Sequence, residues 1–188
     1  MSSFKDTRTL GGDELRVFFE AVDRHLSIRV SIVVIGGAAA ALHKASSTTS
    51  DVDTFEALPP ELQLAVEKAA AATGIVVPIS HSAIAQVPYN YDERLERVFP
   101  DLEMLEICVL EKHDLALSKI VRGAEHDMQQ LEEVHQNSGL DFETLVDRFH
   151  FEMSHVLGEP QRIRLNFLEL IERLFGELKR VSAANRLK

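Results

Sequence analysis

Two aspartates, Asp51 and Asp53, stand two residues apart in the run Asp51-Val52-Asp53-Thr54-Phe55, whose alternation reads as a short β-strand. Residues i and i+2 of a strand project from one face, so the two carboxylates lie close enough to share a hard cation such as Mg²⁺. Like charges that close repel, and a fold keeps such a pair when a metal compensates it or when both groups simply point into water. Upstream, the β-branched run Ile32-Val33-Val34-Ile35 stops at Gly36-Gly37, after which Ala38 to Leu42 read as a helix. Glycines at such a junction let the backbone approach a ligand closely, and the amides of the following helix suit phosphate oxygens. Gly-Gly alone is also an ordinary strand-to-helix turn. The two features in succession describe a phosphate cradle followed by a metal site.

Several elements must position these residues. Leu15, Phe18, Phe19, Val22 and Leu26 recur at helical spacing after Gly12 and Asp13, which predicts an amphipathic packing helix. Pro59 and Pro60 begin a helix carrying Leu62, Ala65, Val66 and Ala69 that ends near Gly74, and Ile75 to Ile79 read as a further apolar strand. From His81 to Asp101 the pattern is weak, with loop signals at Pro88 to Tyr91 and a helical turn available over Arg94 to Phe99. A strand through Met104 to Val109 follows. Helices are then predicted over Lys112 to Arg122, Ala124 to Gln136, Phe142 to Val156 and Arg162 to Val181, with breaks at Gly123, Asn137 to Gly139, and Gly158 to Pro160. Near residue 111 the chain turns from alternating α and β to all-α. The expected organisation is an α/β core over residues 1–110 and a helical region over 111–188. Phe142, Phe149, Phe151, Phe167 and Phe175 can close a helical core or a dimer interface.

The 188 residues, 45% of them hydrophobic, suffice for one substantial core. The one cysteine, Cys108, lies in an apolar strand and reads as an inert core thiol, and no disulfide framework is possible. The first ten residues lack the apolar run of a secretory signal, and no stretch approaches the roughly 20 apolar residues needed to cross a bilayer. A cytoplasmic protein with no membrane role is expected. Net charge is −10, which opposes general polyanion binding. Residues 161–188 are the exception, with seven basic residues against three glutamates. That segment either docks nucleic acid or solvates a helix face. None of the eight histidines forms a metal-binding motif, and His150 and His155 are poorly spaced to share a helix face. His81-Ser82 has no G-x-S-x-G elbow around it.

Gly36-Gly37, the hydroxyl-rich loop after it and Ser50-Asp51-Val52-Asp53 together resemble the signature of the polymerase-β-like nucleotidyltransferase superfamily. The match favours its minimal, AbiEii-toxin-like branch. Glu111-Lys112-His113-Asp114-Leu115-Ala116-Leu117-Ser118-Lys119, followed by Arg122-Gly123 and Asp127, is similar to the helical block after the third core strand in AbiEii-like proteins. The resemblance spans roughly Ile32 to Val134. It implies an α/β (α+β) fold, a small mixed-sheet nucleotidyltransferase core followed by a C-terminal helical bundle.

By the same resemblance, Asp51 and Asp53 are the metal-binding carboxylates, Gly36 and Gly37 face a nucleoside triphosphate, and Ser50 or Thr49 adds a hydroxyl. A third carboxylate usually comes from a later strand. Glu106, flanked by Leu105 and Ile107, is the first candidate and Glu103 the other, while a solvated strand face would show the same alternation. Lys119 and Asp127 take the places of a phosphate-contacting lysine and a helix-borne acid, and Arg122 shares a face with Lys119. Either these cations line a cleft and neutralise triphosphate charge, or they are absorbed in an ion pair with Asp127. Family members often carry arginine in the loop before the aspartates, whereas here Lys44 is the one cation. The implied activity is Mg²⁺-dependent transfer of a nucleotidyl group from a nucleoside triphosphate to the hydroxyl of an RNA, such as a tRNA, or of a protein. The implied setting is a toxin–antitoxin or phage-defence system with an antitoxin protein as partner. The alternative is an inactive protein of the same fold that serves as a protein-binding module.

Overall fold

A computed structural model describes residues 9–43, 48–82 and 86–188. Lys44, with Ser46 and Ser47 of the hydroxyl-rich loop, lies outside the described residues. The first helix, α1 (Gly12–His25), buries Leu15, Phe18, Phe19, Ala21 and Val22 and packs against α3. Strand β1 (Val30–Ile35) runs directly into α2 (Gly36–Leu42). Then come β2 (Val52–Thr54), α3 (Pro60–Thr73), β3 (Ile79–His81), a 3-10 turn (Tyr91–Arg94), β4 (Glu96–Val98) and β5 (Leu105–Val109). Five helices follow: α4 (Lys112–Arg122), α5 (Glu125–Ser138), α6 (Phe142–Glu152), α7 (Pro160–Phe175) and α8 (Glu177–Arg186).

The strands form one mixed sheet in the order β3-β2-β1-β5-β4. β2 is antiparallel to β1 and parallel to β3, whereas β5 is parallel to β1 and antiparallel to β4. These directions bring the C-terminal ends of β1 and β5 and the N-terminal ends of β2 and β3 to one edge. α2 and α4 both start there. The small mixed-sheet core and C-terminal helical bundle expected from the sequence are therefore present.

Two apolar clusters hold the chain together. One joins α1 and α3 to the sheet and reaches Leu115, and the other begins at Ala116 and fills the space among α4 to α8. The clusters meet within α4, so this helix belongs to both. Phe149 stacks on Phe167 with ring centroids 4.1 Å apart, and Phe142 meets Phe175 edge-on at 5.7 Å. Four of the five C-terminal phenylalanines thus close the helical core, while Phe151 stays on the surface.

Four expectations need correction. The strand predicted at Ile75–Ile79 begins only at Ile79, because Pro78 has no N–H to give to a ladder. Its carbonyl still accepts from the Val52 amide at 2.9 Å, which seats the segment beside β2. In the weakly patterned stretch, where a helical turn is available over Arg94 to Phe99, Glu96 to Val98 pairs instead with β5 as β4. The helix from Phe142 ends at Glu152 rather than Val156. The single helix over Arg162–Val181 is two, broken where Gly176 takes φ 86°.

Candidate active site

At the sheet edge, Asp53 pairs with Ile35 of β1 on one side and with Ser80 of β3 on the other. The residue after Ile35 is Gly36, with φ 69°, a left-handed conformation that favours glycine. A Cβ on Gly36 would meet Asp53 Oδ2 at 3.4 Å, so the backbone passes directly beside the carboxylate. A Cβ on Gly37 would sit 3.1 Å from Thr49 Oγ1. That buried hydroxyl donates to the Asp51 carbonyl at 2.8 Å and lies 3.3 Å from Asp51 Oδ1. Each glycine therefore faces one half of the aspartate segment. Of the two hydroxyls considered from the sequence, Thr49 is tied to Asp51, and Ser50 is half-buried in the bend before β2.

The cations come from α4. Lys119, whose side chain is 5% exposed, donates to Asp127 Oδ1 at 3.1 Å and to Gln130 Oε1 at 2.7 Å. Arg122 grips the same carboxylate with Nε and Nη2, both at 2.7 Å. Asp127 is fully buried, while the Arg122 side chain stays 65% exposed. Burial lowers the Lys119 pKa, and the Asp127 charge offsets only part of that. Burial pushes Asp127 upward, but hydrogen bonds from Arg122 and the charge of Lys119 outweigh it and hold the carboxyl below its ordinary range. Arg122 is raised by its hydrogen bond to Asp127, with a smaller contribution from Asp53. Arg122 and Asp53 line the same cleft.

Between edge and helix lies a cleft of about 390 Å³ lined by Gly36, Asp53, Ser82, Gln86, Lys119 and Arg122, with Ile35, Val121 and Leu157 as its apolar wall. The main-chain N–H of Leu157 donates to Gln86 Oε1 at 2.7 Å, which ties the segment after α6 to this rim. The cleft thus has carboxylate, guanidinium and apolar surfaces of a size suited to a small ligand.

The structure does not bring Glu106 to this cleft. It pairs with Ser31, four residues down β1 from Ile35, roughly 13 Å along the strand. Its side chain is 52% exposed and lies 4.0 Å from Arg97. Glu103 lines the same distant depression as Glu106. Strand alternation is compatible with a cleft-facing or a solvated Glu106; the solvated face is the one found, at a different height along the sheet from Asp53. Among the described residues, no group of three or more histidine, cysteine, aspartate or glutamate side chains is arranged to hold a metal. Of the aspartate pair, Asp53 lines the cleft, whereas Asp51 is exposed just before β2; carboxylates are the donor type Mg²⁺ takes, commonly one or two with water and substrate phosphates completing its shell.

Other residues singled out from sequence have structural partners. Glu111 accepts from His113 Nδ1 at 2.6 Å and pairs with Arg148, while buried Asp114 pairs with Arg94 at 2.8 Å and Arg148 at 2.8 Å. Burial pushes Glu111 up, but these partners prevail and hold it at about 2. The network clamps α4 to α6 and to the 3-10 turn, and so fixes the helix that carries Lys119 and Arg122. In the basic C-terminal segment, Arg173 pairs with Glu125, Glu132 and Glu169, Arg180 with Glu172 and Glu177, and Arg186 with Glu143 and Asp147. Those charges close contacts within and between helices. His155 stacks on Tyr89 and His150 meets Phe151 edge-on, and the Cys108 thiol is raised by burial.

A family model described as "Nucleotidyltransferase of unknown function (DUF6036)" matches residues 14–176, which spans the whole sheet, the cleft and most of the helical region. The chain belongs to this nucleotidyltransferase family. Comparisons with curated proteins and with solved structures found no match. The matched span contains the Gly36-Gly37 turn, both aspartates and the Lys119–Arg122–Asp127 cluster. Two contributors escaped the sequence reading. Ser80 donates to Asp53 Oδ1 at 2.9 Å and Gln130 accepts from Lys119. The Ser80 contact depends on strand register, and nothing local signals it. Gln130 lies on α5, one turn beyond Asp127 on the side facing Lys119, and helical spacing from Asp127 could have suggested it.

Among the described residues no helix is long and apolar enough to cross a membrane.

Proposed function

We propose that this chain transfers a nucleotidyl group from a nucleoside triphosphate to a hydroxyl of an RNA, such as a tRNA, or of a protein, with Asp51 and Asp53 holding Mg²⁺. The observation that carries the reading is the approach of Gly36 to Asp53 Oδ2 across a cleft from Arg122 and Lys119. When bound, Mg²⁺ supplies Lewis-acid stabilisation of charge on the triphosphate oxygens. Gly36 and Gly37 leave room for the phosphates beside the carboxylates. Arg122, oriented by Asp127, draws negative charge off the departing pyrophosphate, and Lys119 adds a buried positive field behind it. In the step, the acceptor oxygen bonds to the α-phosphorus, the bond from that phosphorus to the β-phosphate's bridging oxygen breaks, and pyrophosphate leaves. The acceptor proton passes to a carboxylate of the pair. Similarity of the Glu111–Lys119 block, Arg122 and Asp127 to AbiEii-like proteins supports a cytoplasmic toxin–antitoxin or phage-defence setting, with an antitoxin as protein partner.

A second reading has its own support. Lys119 and Arg122 are both bonded to Asp127, and among the described residues no group of three or more potential metal ligands is formed. A member of the family that keeps the fold and works as a protein-binding module would show the same features. Incubating the protein with Mg²⁺, each α-labelled nucleoside triphosphate in turn, and total cellular RNA or protein separates the two. Label transferred by the parent and lost in Asp51→Ala/Asp53→Ala supports transfer and names the acceptor class. Absence of both transfer and metal-dependent nucleotide binding supports the binding module.

A further inference from the structure

Asp53 is held from two sides. Ser80 Oγ donates to Oδ1 at 2.9 Å, and Oδ2 faces Gly36, whose added Cβ would lie 3.4 Å away. Both oxygens are thereby assigned, one to a hydroxyl and one to the cleft side of the edge. Ser80 owes its place to register. β3 runs parallel to β2 and pairs Asp53 with Ser80, so the two side chains stand next to each other on one face of the sheet. Beneath it, the Thr54 hydroxyl donates to the Glu56 carbonyl at 2.8 Å and lies 3.3 Å from the Ser80 carbonyl. The carboxylates first considered for a third position, Glu106 and Glu103, lie in a separate depression of the surface.

We infer that Ser80 is a positioning residue for the metal-holding carboxylate of Asp53. The inference rests on the reading of Asp51 and Asp53 as metal ligands. A hydroxyl there has two consequences. It fixes the carboxylate rotamer through a charge-assisted hydrogen bond without adding a third negative charge to a pair that already repels. It also leaves a site of charge −2, which one divalent cation neutralises, so further positive charge is balanced by the triphosphate. Partners that orient a ligating side chain commonly change metal affinity when removed, even though they do not touch the ion.

The test is Mn²⁺ binding to the full chain by electron paramagnetic resonance, without nucleotide, for the parent, Ser80→Ala, Ser80→Thr and Asp51→Ala/Asp53→Ala. Ser80 is exposed on an edge strand, so its variants should fold, and circular dichroism checks this. Ser80→Ala is expected to weaken Mn²⁺ binding by about tenfold. Ser80→Thr, which keeps the hydroxyl on a residue suited to strands, is expected to stay near the parent. If Ser80→Ala binds like the parent while the double aspartate variant does not, the positioning role is overturned and the metal reading stands. If the parent fails to bind, or the double variant binds equally well, the metal reading falls and the role of Ser80 falls with it.

Discussion

Replacing Asp127 by asparagine probes the one place where the cleft's cations depend on a buried charge. The carboxylate is fully buried and receives hydrogen bonds from Lys119 at 3.1 Å and from Arg122 at 2.7 Å on each oxygen. An amide can offer one oxygen to this set but turns its NH₂ toward a donor, so at least one N–H loses its acceptor. Lys119 then keeps Gln130 as its remaining partner and has no buried counter-charge. Breaking a buried pair by removing one partner costs about 3–5 kcal/mol, and for a chain of this size about 3 kcal/mol lowers Tm by roughly 10 °C. The pH dependence identifies the cause. The Lys119 pKa is already lowered by burial, and losing Asp127 removes the interaction that raises it. The folded variant therefore binds fewer protons than its unfolded chain, and its stability rises with pH until the unfolded lysine titrates near 10.5. Thermal unfolding of parent and Asp127→Asn from pH 7 to 10 should show the deficit narrowing, and adding Lys119→Met should recover most of it. A deficit below about 1 kcal/mol, or one that is flat with pH, would rule out a buried charge as the cause, because a desolvated uncompensated ammonium must produce both effects.

Further perturbations follow from the same geometry. Glu111 is held at about 2 against an ordinary value of 4.5, so its contribution is fully present above pH 4.5 and is lost as pH falls towards 2. The loss is about 3 kcal/mol. Urea unfolding at pH 6 and pH 3 should show a deficit at acid pH that is smaller in Glu111→Gln, the remainder belonging to the other lowered carboxyls such as Asp127. Gly123 has φ 65°, and an added Cβ would lie 2.1 Å from Asn166 Nδ2, which itself donates to the Ile120 carbonyl at 2.8 Å. Gly123→Ala should cost about 2–3 kcal/mol through strain and loss of that bond, measured by chemical denaturation. Gly36→Ala should cost only about 1 kcal/mol from its φ of 69°, yet should suppress nucleotide binding, since its methyl group would occupy the space beside Asp53 Oδ2. Calorimetric titration with a triphosphate and Mg²⁺ checks the second half of that statement.

Much of this fold could be read locally. The α1 apolar stripe, the strand that stops at Gly36-Gly37, and α4 and α5 with their glycine breaks all follow from periodicity and punctuation within a few residues. The Lys119–Asp127 contact was also open to reading, because the two helices meet at a short turn around Gly123. What failed was non-local. Alternation around Glu106 is compatible with a cleft-facing or a solvated carboxylate, and only the pairing of Ser31 with Glu106 shows that it lies far from Asp53. The same register places Ser80 at Asp53, a contact no spacing within either strand announces. β4 is a three-residue edge strand defined by pairing with β5 rather than by its own apolar content. The C-terminal basic residues read as a surface feature until the helices brought Glu125, Glu143 and Asp147 against them.

Nucleotidyl transfer at the Asp51–Asp53 edge is the proposed activity. Its most direct test is simultaneous measurement of pyrophosphate release and incorporation of α-label, with Mg²⁺ and an RNA or protein acceptor fraction. Equal amounts of the two products are expected, both abolished in Asp51→Ala/Asp53→Ala and both strongly reduced in Arg122→Met. Release of a nucleoside diphosphate in place of pyrophosphate, or transfer that survives loss of both aspartates, would contradict it.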